Sequence, residues 1–399
     1  MEMRDRLDTS ATIPRPLAIY IHWPYCLAKC PYCDFNSYAR LSLSESQYLA
    51  AALRELHYYA QETAGRMVTS IFFGGGTPSL MAPRTVETLL GAISGCWPVA
   101  YNCEITLEAN PSSVEAARFA GYRAAGVNRV SLGVQSLDDN QLRFLGRLHS
   151  AAEARQALDI AAKHFDRVSF DLIYARPAQT GAEWQAELSE ALRLVRGHLS
   201  LYQLTIEPET AFYGLHQRGK LKIPGAELAA TLYELTQEMC ERAGLPAYEI
   251  SNHAAPGEES RHNLTYWRYG DYLGIGPGAH GRFPCGGKKF ATAALKAPEA
   301  WNAQVLERGH GCEERSELCA HEQAEEMVLM GLRLSEGLEL LELSEKSGYS
   351  IAAPEIAALE EEGLVTHDGR YLRVTRRGRL VLNAIVKAAV ARLEPVSQA

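Results

Sequence analysis

Cys26, Cys30 and Cys33 follow one another at spacings of four and three residues in Tyr25-Cys26-Leu27-Ala28-Lys29-Cys30-Pro31-Tyr32-Cys33-Asp34-Phe35. Three thiolates are soft donors that suit an iron–sulfur cluster or zinc, and a set of three leaves one metal position without a protein ligand. A small molecule can bind at that open position. The same spacings also describe one face of a helix, on which cysteines would be small buried hydrophobes. Pro24 and Pro31 argue against the helix. Pro31 lacks a backbone donor and biases Cys30 away from helical dihedrals, so a loop with converging sulfurs is expected. A structural zinc site completed by a distant Cys or His is the other metal reading.

Further along, Gly74-Gly75-Gly76-Thr77-Pro78 follows the apolar run Ile71-Phe72-Phe73. Consecutive glycines let backbone approach a ligand with no Cβ in the way, although such a turn can equally be structural. The Lys-Ser/Thr ending of a phosphate-binding P-loop is missing. Glu108, in Thr106-Leu107-Glu108-Ala109-Asn110-Pro111, would present a carboxylate to a ribose hydroxyl or an amine, the alternative being an ion pair at the rim of the fold. Gln135, Arg147 and Asp171 extend this polar set: Arg147 can hold a carboxylate, and Asp171 can accept from a hydroxyl or an ammonium.

Elements must bring these residues together. Short apolar, β-branched runs alternate with longer helical patterns from about residue 17 to about 250, the mark of repeated βα units around a parallel sheet. Strands are expected near 17–22, 69–73, 104–108, 129–134, 168–173 and 201–207, with a weaker candidate at 247–250. Helices are expected near 45–63, 83–94, 113–125, 138–145, 151–164, 182–195 and 226–243, several closed by glycine. A doubly wound sheet is the rival architecture, but it would gather functional residues at one switch point. Here six consecutive strand ends carry polar or permissive residues: the cysteine loop, the glycine turn, Glu108, Gln135, Asp171 and Glu207. Convergence of all strand ends describes a barrel mouth. The predicted fold class is therefore α/β, a partial (β/α)6-type TIM barrel, over residues 1–250.

Residues 251–315 change texture to glycine, aromatic and histidine residues and are expected to pack on the barrel as irregular structure and short strands. Residues 316–399 read as helices near 322–334, 339–347 and 354–361 leading into a hairpin around Asp368-Gly369, a winged-helix-like domain. Its arginines at 370, 373, 376, 377 and 379 raise DNA binding as a minor alternative to a packing lid.

Hydrophobic residues at 47% and charged residues at 22% are ordinary for a globular protein. A formal charge of −8 argues against a broadly basic surface, so no nucleic acid is expected as a partner. The opening Met1-Glu2-Met3-Arg4-Asp5-Arg6 leads into Pro14 and Pro16 rather than an apolar core, and no apolar run is long enough to span a bilayer. A cytoplasmic location without membrane insertion is expected. Nine cysteines, three of them clustered, fit a reducing compartment and a metal site better than a disulfide framework.

The cysteine loop with its aromatic residue, the Gly-Gly-Gly-Thr-Pro turn and Glu-Ala-Asn-Pro together resemble the radical S-adenosylmethionine proteins of the oxygen-independent coproporphyrinogen oxidase group, over nearly the whole chain. The resemblance implies that Cys26, Cys30 and Cys33 hold a [4Fe-4S] cluster whose fourth iron takes S-adenosylmethionine. It implies contacts to that cofactor from Tyr20, Phe35, Gly75 and Glu108, and to a second such molecule from Gly76, Thr77, Gln135, Arg147 and Asp171.

One position departs from the oxidase, which carries a further cysteine where this chain has Phe35. The first strand also begins close to the N-terminus, without the longer leader expected of the oxidase. Both differences resemble a heme-chaperone branch of the same group. So does His262-Asn263-x-x-Tyr266-Trp267, in which an imidazole offers an axial ligand for iron and two aromatics offer flat surface to a macrocycle. His253 and His280 are alternative ligands in the same region.

The function the resemblance implies is binding of heme and its transfer to a client heme protein, such as a respiratory enzyme, which allows transient contact with a membrane-bound client. Coproporphyrinogen dehydrogenase activity is not expected, and homodimerisation is left open. The alternative is an enzyme of radical chemistry acting on a porphyrin-like substrate.

Overall fold

The computed structural model of the protein describes residues 15–39 and 42–396. The N-terminal stretch in which no secretory signal was read lies outside them. Among the described residues no helix is long and apolar enough to cross a membrane.

Six parallel strands form the body of the fold: β1 (Pro16–Trp23), β2 (Met67–Gly75), β3 (Val99–Ala109), β4 (Arg129–Gln135), β5 (Arg167–Tyr174) and β6 (Gly197–Gln203). Each pairs with the next in register, from Ile19 opposite Ile71 in the first pair to Leu172 opposite Leu201 in the last. Strands covered on both faces read as continuous apolar runs, as Leu17, Ala18, Ile19 and Ile21 of β1 do. Tyr20, Phe72, Glu108, Ser131, Asp171 and Ser200, one from each strand, all line a single interior cavity. That curvature makes the sheet a partial barrel and excludes a flat doubly wound arrangement.

Helices pack around the outside. The helix Glu45–Glu62 opens on a capping box of Ser44 and Gln47 and buries Tyr48, Ala51, Ala52, Leu56 and Tyr59. Similar boxes start the helices Ala151–His164, on Ser150 and Glu153, and Gly181–Leu194, on Thr180 and Glu183.

Three expectations need correction. The sixth strand ends at Gln203, not 207: the bond from Leu204 N–H to Tyr174 O at 2.8 Å is the last rung of its parallel pairing with β5. Glu207 therefore lies in the following loop, before a helix, Ala211–Gln217, that the sequence reading lacks. The helix expected at 113–125 is broken into Ser113–Ala116 and Phe119–Ala125. Tertiary bonds cause the break: buried Glu115 accepts from Ser79 Oγ and from Asn110 N at 2.8 Å, while Arg118 donates to Ser79 O and Leu80 O at 3.1 and 3.0 Å. The weak strand candidate at 247–250 is replaced by β7 (Asn252–Ala254), antiparallel to β6.

The short strands expected after residue 251 extend the sheet itself. β8 (Tyr272–Ile275) pairs parallel with β1, and β9 (His280–Cys285), β10 (Lys288–Ala294) and β11 (Cys312–Glu317) continue antiparallel. The order is β11-β10-β9-β8-β1-β2-β3-β4-β5-β6-β7, so both edges of the six-stranded body are covered by strands from this segment. Buried Glu55 joins it to the outer helices, accepting from Gly276 N at 2.9 Å, Gly311 N at 2.7 Å and Trp301 Nε1 at 3.0 Å.

The C-terminal region has its own apolar core, built on Met327, Val328, Leu343, Leu372, Ile385 and Val386. It carries the three-stranded sheet of β12 (Leu338–Glu339), β14 (Val365–His367) and β15 (Tyr371–Val374), while β13 (Tyr349–Ile351) pairs with β16 (Leu393–Pro395). Helices leading into this hairpin have the winged-helix-like form expected.

Candidate functional site

The cysteine segment leaves β1 as a loop, as Pro31 requires. Cys26 N–H donates to Tyr38 O at 2.9 Å and Tyr38 N–H to Pro24 O at 2.8 Å, closing the loop at its base. Cys33 N–H donates to Cys30 O at 3.2 Å across Pro31. All three cysteines are free and half-buried, and all line a cleft of about 1110 Å³. Burial pushes the thiols of Cys26 and Cys33 up, a shift that a bound metal cation reverses.

Among the described residues no three His, Cys, Asp or Glu side chains are gathered as ligands of one ion. All three thiol side chains line the same cleft from one loop, a donor set that fits three irons of a cluster. Arg147 Nη1 donates to Cys30 Sγ at 3.3 Å, so positive charge already faces this sulfur.

The glycine turn lies across the same cleft. Gly76 N–H donates to Trp23 O at 2.7 Å and Thr77 N–H to Tyr25 O at 2.8 Å, seating the turn against the base of the cysteine loop. A Cβ on Gly76 would stand 2.6 Å from Tyr25 O, and Gly75 has φ of +109°. Both positions require glycine.

Glu108, Gln135, Arg147 and Asp171 line the cleft as well. Burial, followed by the charge of Asp171, raises Glu108 to about 8. Burial raises Asp171 to about 6 against the opposing hydrogen bond from Ser200. Two half-buried carboxyls, both held above the ordinary carboxylate range, suit a cation or a hydroxyl donor. Gln135 is held at φ +70°, and its Oε1 is buried without a partner among the described residues. A strained backbone that aims an unsatisfied amide into a cleft is a ligand-binding feature. Arg147 also donates to Asn110 Oδ1 and to Gly133 O at 2.8 Å, while its Nε is unpaired. Sequence reading missed Asn110 as the orienting partner, although it stands inside Glu108-Ala109-Asn110-Pro111.

Beneath the cleft lies the second cavity, of about 440 Å³, which shares Phe35, Gly75, Glu108, Ser131, Asp171 and Tyr202 with it. Phe35 is 58% exposed and stands where the two spaces meet, as a large apolar side chain in place of a further thiol. Tyr20 lines this inner cavity rather than the outer cleft, its hydroxyl 3.0 Å from His22 Nδ1.

His262, Asn263 and Tyr266 also face the inner cavity, from the helix Arg261–Trp267. This helix sits on the barrel floor, opposite the cluster loop. Glu104 holds its N-terminus, accepting from Arg261 N at 3.1 Å and His262 N at 3.0 Å, and is itself paired with Arg167 at 2.5 Å. The His262 ring stacks on Phe72 at 5.0 Å, and its Nδ1 lies 3.1 Å from Ser70 Oγ. A metal would have to be met by Nε2. Burial lowers His262 to about 4, so the ring is neutral and has a lone pair to offer. Trp267 lines neither cavity and packs on Tyr266 at 5.1 Å between ring centres. Of the alternative histidines, His280 lines the inner cavity, whereas His253 is buried elsewhere, 3.2 Å from Gln237.

The C-terminal domain closes the cleft with Arg333, Arg379 and residues 380–384. The arginines read as a basic cluster are not a free array: Arg370 pairs with Glu339, Arg373 with Asp368 and Arg376 with Glu241.

Comparison with known proteins agrees with this geometry. Residues 20–191 match the model of the radical SAM superfamily, and residues 318–381 match the HemN C-terminal domain. The chain is 40% identical to the mitochondrial radical S-adenosyl methionine domain-containing protein 1 of Bos taurus, covering 96% of this chain and 89% of that protein. It is 37% identical to the heme chaperone HemW of Escherichia coli, over 94% of this chain and 98% of its relative. Coproporphyrinogen III oxidase (HemN) from Escherichia coli superposes with a TM-score of 0.79 at 24% identity, over 94% of this chain and 90% of the oxidase, and so shares the fold. The chain therefore belongs to the radical SAM family that contains the heme chaperone HemW and its mitochondrial relatives.

Proposed function

We propose that this protein is a heme chaperone: it takes heme into the joined cavities of the barrel and passes it to a client heme protein. The observation that carries this reading is the adjacency of the cluster cleft to the inner cavity lined by His262, Asn263 and Tyr266, the two sharing Phe35, Glu108 and Asp171. The apolar Phe35 at their junction and the relatives named as heme chaperones support it.

As a radical SAM protein, the chain carries a [4Fe-4S] cluster and S-adenosylmethionine, which supply the capacity for one-electron chemistry. Cys26, Cys30 and Cys33 would hold the cluster, with Arg147 fixing the Cys30 sulfur. Gly75, Gly76 and Thr77 would let the backbone approach the cofactor. Glu108 and Asp171 would receive its amine or hydroxyl groups, and Gln135 would use its unpaired oxygen to accept a hydrogen bond. Tyr20 would act from the inner side. His262 would offer Nε2 to the heme iron while Tyr266 presents an aromatic face. Trp267 would support Tyr266 rather than touch heme.

Anaerobic titration of the cluster-loaded protein with heme, followed in the Soret band, tests the reading. Saturable binding is expected, weakened about tenfold or more and altered in spectrum by His262→Ala. Failure to bind heme with the cluster intact would overturn it. Conversion of heme or coproporphyrinogen to a modified tetrapyrrole, with consumption of S-adenosylmethionine, would replace it with an enzyme.

A further inference from the structure

Arg333 and Arg379 reach the outer cleft from the C-terminal domain, and their surroundings are unlike those of the arginines nearby. Arg379 donates to Arg333 O at 2.7 Å, Leu334 O at 3.0 Å and Ser335 Oγ at 3.3 Å. Arg333 donates to Leu329 O and to Asn383 Oδ1 at 3.2 Å. Every one of these acceptors is uncharged. Arg370, Arg373 and Arg376, on the same domain, each have a carboxylate partner.

The carboxylate whose field reaches both guanidiniums is Glu249, which is turned to Ser251 N at 3.1 Å and Asn252 Nδ2 at 2.5 Å. Both arginines are half-buried, and burial lowers the pKa of each. Among the described residues neither has a paired carboxylate, and two adjacent cations partly removed from water in this way are costly. They face a cleft large enough to admit an anion.

The walls around them narrow the choice of anion. Ile250, Leu380, Val381 and Leu382 line the cleft beside the arginines, and Leu380 and Val381 are exposed. A small inorganic anion would leave that apolar surface wet. A flat apolar body with carboxylate arms would cover the surface and satisfy both guanidiniums, since arginine takes carboxylates in forked, charge-assisted pairs.

We propose that Arg333 and Arg379 bind the propionate carboxylates of a tetrapyrrole whose propionate-bearing edge lies against Ile250, Leu380 and Val381. This rests on the tetrapyrrole reading given above, and it assigns the C-terminal domain a direct part in ligand recognition. S-adenosylmethionine also bears a carboxylate, so the test separates the two sources.

The full-length, cluster-loaded protein is titrated anaerobically with hemin and with hemin dimethyl ester, whose propionates are uncharged. The wild type is expected to prefer hemin by about tenfold or more. Arg333→Gln and Arg379→Gln should each lower hemin affinity while leaving ester affinity unchanged, and Arg333→Lys should restore part of the preference. Because Arg379 also ties down backbone carbonyls, Arg333→Gln decides the matter if the other variant fails to fold.

Equal wild-type affinity for hemin and its ester would overturn the proposal while leaving heme binding intact. Loss of S-adenosylmethionine binding in Arg333→Gln, measured by equilibrium dialysis, with the hemin preference unchanged, would assign the pair to the cofactor and overturn it too. If neither hemin nor the ester binds, the tetrapyrrole reading itself fails.

Discussion

Arg147 donates from Nη1 to the sulfur of Cys30 across 3.3 Å, linking the residue that follows the fourth strand's helix to the middle ligand of the cysteine loop. A cationic donor on a thiolate draws electron density from the metal and favours the reduced state. Arg147→Ala removes both the charge and the hydrogen bond. Its cluster is expected to be reduced at a potential lower by on the order of 50 mV, read by redox titration with EPR detection, while iron content stays near that of the wild type. An unchanged potential would show that the contact does not act on the cluster.

The cluster ligands and the proposed heme residues belong to different elements, so the two bound groups should be separable. Replacing Cys26, Cys30 and Cys33 together by alanine should abolish iron–sulfur absorption. Heme affinity should change by less than about threefold, a difference of under ~0.7 kcal/mol. Loss of heme binding in this variant would mean that the cluster builds the heme site.

Glu108 and Asp171 make a specific pH dependence. A carboxyl whose folded-state pKa is raised holds its proton longer in the folded protein than in the unfolded chain. Its penalty on stability is therefore absent at low pH and grows as pH rises, for Glu108 up to about 8 and for Asp171 up to about 6. Thermal melting of protein free of S-adenosylmethionine should show stability falling from pH 5 to about pH 8. Glu108→Gln should flatten the upper part of that fall and be the more stable protein at pH 8. A wild-type profile that rises over this range would contradict the assignment.

Glu104 is the fixing point of the floor helix. Glu104→Ala leaves the Arg261 and His262 N–H groups unmet and removes a carboxylate from the buried end of Arg167. A loss of about 3 to 5 kcal/mol is expected in urea unfolding. Heme affinity should fall with it, because His262 loses its anchor. Glu104→Gln, which keeps part of the bonding, should lose less of both.

Much of this site was legible in the chain because local chemistry announced it. Pro31 forbade a helix through the cysteines, and glycines at 75 and 76 marked a backbone that must pass close to Tyr25. Strand ends gave the barrel, because each polar residue there interrupts an apolar run. What was not legible depends on partners far away in sequence. Nothing local to Tyr272–Ile275 says that it will pair with β1. Nor does anything near Ser113 say that Glu115 and Arg118 will be claimed by residues 79, 80 and 110 and break the helix. Leu204 and Ile206 continue the alternation of a strand, and only the end of the pairing with β5 at Tyr174 stops it. Arg379 read as part of a surface cluster because sequence gives the charge of a residue and not its direction.

The described chain keeps its apolar interior in separate stores, the two largest around Ile19, Phe73 and Leu132 in the barrel and around Val328, Leu372 and Ile385 beyond it. Cooperative melting follows shared packing, so heating is expected to reveal two calorimetric transitions rather than one. A ligand touching both would be felt by both, drawing the transitions together in proportion to its occupancy. The merging of two heat-capacity peaks would then report, without any label, that cargo is aboard.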